Sequence, residues 1–387
     1  MKNYYPFIVL GLGGLGSGAL YWLARQKKEV LGLEQFEIGH TRGGSQDHSR
    51  IIRLSYHTPQ YIQFAKQAYQ AWAVLEADAG ENILLKTGGL DLSPPHAAIP
   101  LTDYTRSMDA TGVPYEVLDA SETMSRWPQF HLPEGTTALY QAESGIAPAA
   151  KGNAAHLRMA RAYGAAIRDN APVTAIRPLD GEIELVAGGE IYRCQKLILT
   201  PGAWTNAALA HFGHHLPLEI TQEQVTYYAS PCIADFAPER FPVWIWMDEP
   251  CFYGFPVYGE PGPKIGQDVG GKLVTADTRT FDPNPDALAR TEAFLRQYIP
   301  SMLGPQIYTK TCLYTLTPDR DFIIDALPDH PNVFVAVGAG HAYKFASLIG
   351  KVLAELAADG YTPSDLSAFK FNRPVLQMVN PPRSYMV

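Results

Sequence analysis

Cysteine is scarce. The 387 residues contain four, Cys194, Cys232, Cys251 and Cys312, and none stands in a CxxC or other metal-ligand spacing. That excludes a disulfide framework, gives no sign of a metal centre and fits a reducing compartment. A basic surplus is missing as well. With a net charge of −8 the chain has nothing to spare for a phosphate backbone, so nucleic acid is excluded as the main partner. There is no internal repeat and no low-complexity tract. Residues 7–24 are largely apolar, but a glycine cluster breaks them and neither a basic flank nor a clear cleavage site accompanies them. They read as part of a folded unit and not as a signal peptide or membrane span. The expectation is a cytoplasmic protein with no membrane partner.

What is present is the composition of a globular protein, 46% hydrophobic and 18% charged, in a chain long enough for two cores. The first forty residues organise it. Residues 7–10 read as a buried parallel strand, Gly11-Leu12-Gly13-Gly14-Leu15-Gly16 follows at once, and residues 17–26 have helical composition. A second strand, residues 29–33, ends in Glu34. Gly11 permits the tight turn, Gly13 lets backbone N–H groups approach a pyrophosphate, and Gly16 lets helix and strand pack closely. Glu34 stands at the spacing of the acid that takes ribose hydroxyls in a dinucleotide site. A glycine-rich turn in an ordinary α/β unit is the alternative; the flanking strands and the acid favour dinucleotide binding.

Further along, Thr58 and Pro59 signal a helix start, and Gly80 its stop. From about Gly88 to Glu143 prolines and short β-prone runs replace the βα pattern. A helix returns at Ala149, a strand at Val173, and a buried strand at residues 196–199 runs into the turn at Gly202. Residues 216–311 are β-rich and aromatic, with one clear helix over 286–298. A last βα unit follows, residues 333–337 leading through Gly338 and Gly340 into an amphipathic helix. The fold class expected is mixed α/β with α+β character. A Rossmann-like domain would comprise residues 1–87, 144–215 and 312–387, and a mostly antiparallel β substrate domain residues 88–143 and 216–311.

Cys312 lies in Thr311-Cys312-Leu313-Tyr314-Thr315-Leu316-Thr317-Pro318-Asp319, followed by Asp321-Phe322-Ile323-Ile324-Asp325. With this segment and Gly338-Ala339-Gly340-His341-Ala342-Tyr343-Lys344-Phe345, the chain resembles the monomeric sarcosine oxidase and N-methyltryptophan oxidase family of D-amino-acid-oxidase-like flavoproteins. The resemblance extends over nearly the whole length. It implies FAD, bound by Gly11, Gly13, Gly14, Gly16, Glu34, Ser45, Arg50, Val173, Gly202, Gly338, Gly340 and Lys344, and attached covalently through Cys312. Taken alone, Cys312 would read as an inert buried thiol; the motif reverses that reading, and Arg50 is expected to lower its pKa.

By the same resemblance Arg53 and Lys344 bind a substrate carboxylate. A buried cation pair with no protein acid beside it would call for such an anion. Lys264 is expected on the oxygen-activating side of the flavin, Tyr253 and Tyr314 as walls of the substrate pocket, and His341 beside the flavin. Where the family commonly has a histidine, this chain has Asp268, which is either an exposed turn residue or a partner for an amine. The implied reaction is oxidation of a small secondary amine bearing a carboxylate, giving an imine, with O2 reduced to H2O2. A flavin dehydrogenase serving a carrier and a non-catalytic flavin-binding protein are the alternatives. The oligomeric state stays open, a monomer being one compatible state.

Overall fold

The computed structural model describes residues 2–382 and 384. Strand Tyr4–Leu10 lies between Val30–Leu33 and Glu190–Leu199 and is parallel to both. Val30–Leu33 then pairs with Ala166–Arg168, and the end of Glu190–Leu199 with His330–Val337, again in parallel. Antiparallel strands Val173–Pro178, Ile183–Ala187 and Ile323–Leu327 complete an eight-stranded sheet. Its alternation is that of a sheet covered on both faces. Val9, Ile198 and Ala336 join one core, under helices Gly14–Arg25, Pro59–Ala79, Ala149–Ala162 and Ala346–Asp359. Ile8, Leu10, Leu197, Leu199 and Val335 join a second core on the other face.

Helix Gly14–Arg25 is buried along almost its whole length. A methyl group on Gly18 would lie 2.6 Å from the Ala346 carbonyl oxygen, and one on Gly350 2.3 Å from the Gly18 carbonyl carbon. The two helices therefore touch backbone to backbone, which fixes where the last βα unit sits relative to the first. Helix Pro59–Ala79 starts and stops as expected, with Thr58 accepting from Tyr61 N and Gly80 in a left-handed conformation.

The second sheet has nine strands, running Lys272–Leu273, Glu219–Tyr228, Lys264–Gln267, Phe252–Phe255, Val243–Trp246, Gly89–Ser93, Thr137–Gln141, Glu116–Asp119, with Gln306–Leu316 also on Glu219–Tyr228. All neighbours are antiparallel except Val243–Trp246 with Gly89–Ser93. Strand Gln306–Leu316 runs unbroken through residues 311 and 312 and carries Cys312 opposite Glu223. A three-stranded sheet of Arg50–Ile52, Gly145–Ala147 and Leu85–Lys86 adds a short bridge.

The stretch 88–143 differs from its sequence reading. It contains helices Leu101–Thr111 and Ala120–Arg126 besides its strands. Pro100 and Gly112 flank the first helix without interrupting it, and Asp119 with Glu122 forms a capping box on the second. Prolines here punctuate helices that had been hidden by the apparent β-proneness. Among the described residues no helix is long and apolar enough to cross a membrane.

The Gly18 contact gives a direct test. Gly18→Ala should destabilise the holoprotein by about 1–3 kcal/mol, the range for overpacking a tight core, read from urea unfolding. An unchanged midpoint would show that the two helices separate freely.

Candidate active site

One cavity of about 550 Å3 is lined by residues of both large sheets. The glycine turn contributes Gly11, Gly13 and Gly14, with Glu34, Ser45, Val173, Gly202, Gly338 and Gly340 also in the wall. Gly11 has φ +87°, and a methyl on Gly16 would lie 1.8 Å from the Gly11 carbonyl oxygen, so only glycine permits this strand-to-helix turn. The helix begins at Gly13 with no side chain capping it. Its first N–H groups and positive dipole end thus stand at the cavity wall, an arrangement suited to phosphate. Burial works to raise the Glu34 pKa, but His40 and the N–H groups of Leu12 and Phe36 outweigh it and keep the carboxyl ionised. Glu34 accepts from Leu12 N at 2.8 Å and from Gln35 N at 2.8 Å while facing the cavity.

The loop between the glycine turn and strand Arg50–Ile52 is clasped by Arg50. Its guanidinium donates to the carbonyls of Ser49, Gly44 and Gln46 at 2.8, 3.0 and 2.7 Å. Asp47, at φ +78°, is buried in this loop and receives Lys264 Nζ at 3.0 Å and the Tyr227 hydroxyl at 2.9 Å. Lys264 also donates to Ser49 O at 2.9 Å. The expected oxygen-side lysine is therefore a buried ion pair, and its side chain is not among those lining the cavity. Burial brings its pKa down to about 8 against the opposing pull of Asp47. Burial also raises the Asp47 pKa, but Lys264 and Arg50 outweigh it and hold the carboxyl well below its usual range.

Cys312 feels both Arg50 and Lys264. The expected lowering by Arg50 is present, yet burial outweighs it, and the thiol is pushed up to about 11. Desolvation of a thiolate costs more here than the two cations return.

Contrary to expectation, Arg53 does have an acid beside it. Its Nη1 donates to Asp91 Oδ1 at 2.8 Å, with both side chains 5% exposed, and its guanidinium lies over the Tyr56 and Tyr104 rings. Lys344 lines the cavity nearby, its backbone carbonyl held by Trp72 Nε1 at 2.8 Å. Burial, Arg53 and Arg320 bring its pKa down to about 7, against Asp268 and Asp91. Tyr253, Tyr314 and His341 complete the wall. Burial and the cations Lys344 and Arg320 keep His341 neutral, its pKa well below the usual value. Its Nε2 donates to Arg320 O at 2.8 Å, leaving Nδ1 as an acceptor without a protein partner.

Asp268 is neither an exposed turn residue nor unpartnered: it lines the cavity and accepts from Arg320 Nη2 at 3.2 Å. Behind it, Glu223 is bonded to the Thr221 hydroxyl and Gly270 N. Burial and Asp268 push the Glu223 pKa up to about 7.

A family model for FAD dependent oxidoreductases matches residues 7–356. The chain belongs to that family. It is 32% identical over 381 residues to a monomeric sarcosine oxidase of Streptomyces avermitilis, covering 95% of this chain and 97% of that protein. It is 30% identical over 376 residues to an N-methyl-L-tryptophan oxidase of Salmonella typhimurium, covering 95% and 99%. Its fold matches that of an amino acid oxidase of nikkomycin biosynthesis with a TM-score of 0.84 at 23% identity, over 100% of this chain and 99% of that one. The protein is an FAD-dependent oxidoreductase. The uncapped helix, the close contact of Gly16 with Gly11 and the ionised Glu34 fit the adenosine and pyrophosphate part of FAD, which Gly11, Gly13, Gly14 and Glu34 would hold.

Sequence reasoning missed Asp47, Asp91, Glu223 and Arg320. Arg320 alone carried a signal, standing between Asp319 and Asp321 of the cysteine motif. The Arg53 pair offers a test: Asp91→Ala removes the carboxylate beside a buried guanidinium and should cost about 3–5 kcal/mol in denaturant unfolding. A loss under about 1 kcal/mol, the level of an exposed pair, would show that water reaches Arg53.

Proposed function

We propose that the protein oxidises a small secondary amine carrying a carboxylate, an N-alkyl amino acid such as sarcosine, to an imine, with O2 reduced to H2O2. The observation carrying this reading is the single cavity that joins the glycine turn to a buried, cationic and aromatic wall. FAD, when bound, supplies the hydride acceptor and passes the electrons on to O2. The protein's part is to bind, orient and exclude water. Lys344 and its cationic neighbours attract the carboxylate, and Tyr253 and Tyr314 wall off the reacting carbon. The same cations favour a neutral amine over an ammonium, as the loss of hydride requires. No protein base is needed; water hydrolyses the imine after release. Cys312 is the proposed attachment point of the cofactor, buried beside Arg50 and Lys264.

The ion pair of Lys264 with Asp47 favours a second reading, a dehydrogenase that passes electrons to a carrier, because a compensated cation does less for developing superoxide. Anaerobic addition of sarcosine and other N-methyl amino acids should bleach the flavin, and air should restore it with one peroxide per amine. Bleaching without oxygen uptake selects the dehydrogenase; no bleaching by any secondary amine removes both. Acid precipitation should leave the yellow colour on the protein and release it from Cys312→Ala. Free FAD from the native protein would exclude the covalent link.

Lys264 also sets a pH dependence. Its ammonium loses its proton as pH rises through about 8, so flavin reoxidation by O2 should slow over that interval. Asp47→Asn removes the charge that favours the ammonium and should move the decline to lower pH. A profile flat in both proteins would take Lys264 out of the oxygen step.

A further inference from the structure

Arg320 is buried, with 3% of its surface exposed, yet it lines the cavity. Its Nη2 bonds to Asp268, while Nε and Nη1 have no hydrogen-bond partner. A guanidinium without partners on two of its nitrogens, out of bulk water, is costly unless an acceptor arrives. The residue is also held in place at an unfavourable conformation. Its φ is +64°, in a turn closed by Arg320 N on Thr317 O at 3.2 Å and by the Thr317 hydroxyl on Asp321 O at 2.8 Å. Asp319 of the same turn is gripped by Arg373 through bonds of 2.6 and 2.8 Å, and His341 holds the Arg320 carbonyl. Strain so well fastened marks a position where the side chain has to point one way.

Arg53, by contrast, is committed to Asp91 and packed over two tyrosine rings. We infer that Arg320, together with Lys344, provides a further anchor for the substrate carboxylate. The inference rests on the proposed function only in taking a carboxylate to be what enters this cavity. Three cations, Arg53, Arg320 and Lys344, face two carboxylates, Asp91 and Asp268, so one incoming carboxylate balances the set.

The test uses the FAD-loaded protein and propionate, a carboxylate that cannot be oxidised as an amine, with binding read from the visible absorption of the flavin. Propionamide serves as the uncharged isostere. The native protein should prefer propionate. Arg320→Gln should lose propionate affinity on the order of 100-fold, the cost of truncating one partner of a buried charge pair, and with it the preference over the amide. Arg320→Lys, which keeps the charge but not the planar fork, should fall between them. Asp268→Asn frees a donor on Arg320 and removes a repelling charge, so it should tighten propionate binding. If Arg320 served only to hold Asp268, Arg320→Gln would cost no further propionate affinity once Asp268 is also replaced by Asn.

Unchanged affinity in Arg320→Gln or Arg320→Lys, or no loss when Arg320→Gln is added to Asp268→Asn, would overturn the assignment. Should Arg320→Gln fail to retain FAD, the Arg320→Lys shift, measured alone and together with Asp268→Asn, decides it. Flavin bleaching of the native protein is scored separately: propionate effects as expected without bleaching by any secondary amine would leave Arg320 as the anchor and remove the amine oxidation.

Discussion

Charge taken out of water has to meet an opposite charge or a ligand, and that constraint shapes the whole catalytic end of this cavity. Lys264 is answered by Asp47, Arg53 by Asp91 and Arg320 in part by Asp268. In each pair the two partners come from different parts of the chain. Asp47 reaches Lys264 from the loop after the first βα unit, and Asp91 comes from a strand next to Val243–Trp246. Lys264 and Asp91 lie in the nine-stranded sheet, so two of the pairs tie that sheet to the segment 47–53, which carries strand Arg50–Ile52 of the short three-stranded one. At Lys344 burial acts together with Arg53 and Arg320, and its pKa falls to about 7.

Holding such pairs takes backbone that would not be chosen for its own sake. Asp47 and Arg320 both adopt left-handed conformations, at φ +78° and +64°, each costing on the order of 1–3 kcal/mol. Dense local bonding keeps them there. Arg50 ties three carbonyls around Asp47, and the Thr317 turn with Arg373 encloses Arg320. Elsewhere the same precision comes from the contact of Gly18 with Gly350 and of Gly16 with Gly11, where no side chain separates the backbones. Exact placement of a few side chains thus begins with the absence of others.

What could be read from the sequence was whatever is local. The glycine turn, the caps of helix Pro59–Ala79 and the alternation of the parallel strands each depend on residues within a few positions, so all were legible. The helices Leu101–Thr111 and Ala120–Arg126 were not, because their short amphipathic faces are outweighed by nearby prolines that turn out to lie at their ends. At the site, the motif residues Arg53, Lys264, Tyr253, Tyr314, His341 and Lys344 were all named, and all but Lys264 line the cavity. Their partners were invisible. Asp91 lies 38 positions from Arg53 and Asp47 217 from Lys264, and nothing in composition or spacing joins such pairs. Cys312 shows the same limit, since only three-dimensional burial reveals that desolvation outweighs its cations.

The acids, more than the cations, define what the site selects. Three cationic side chains alone would attract any anion, including one with two carboxylates. With Asp91 and Asp268 in place, the excess is a single positive charge carried by a lysine whose proton is easily lost. Under the proposed chemistry, a zwitterionic amino acid brings no net charge and leaves that excess uncompensated. The anionic form, with its amine already neutral, compensates it, and it is also the form able to give up hydride. Binding and reactivity then favour the same protonation state, so the electrostatic work of making the amine reactive is done as the carboxylate docks and not in a separate proton-transfer step.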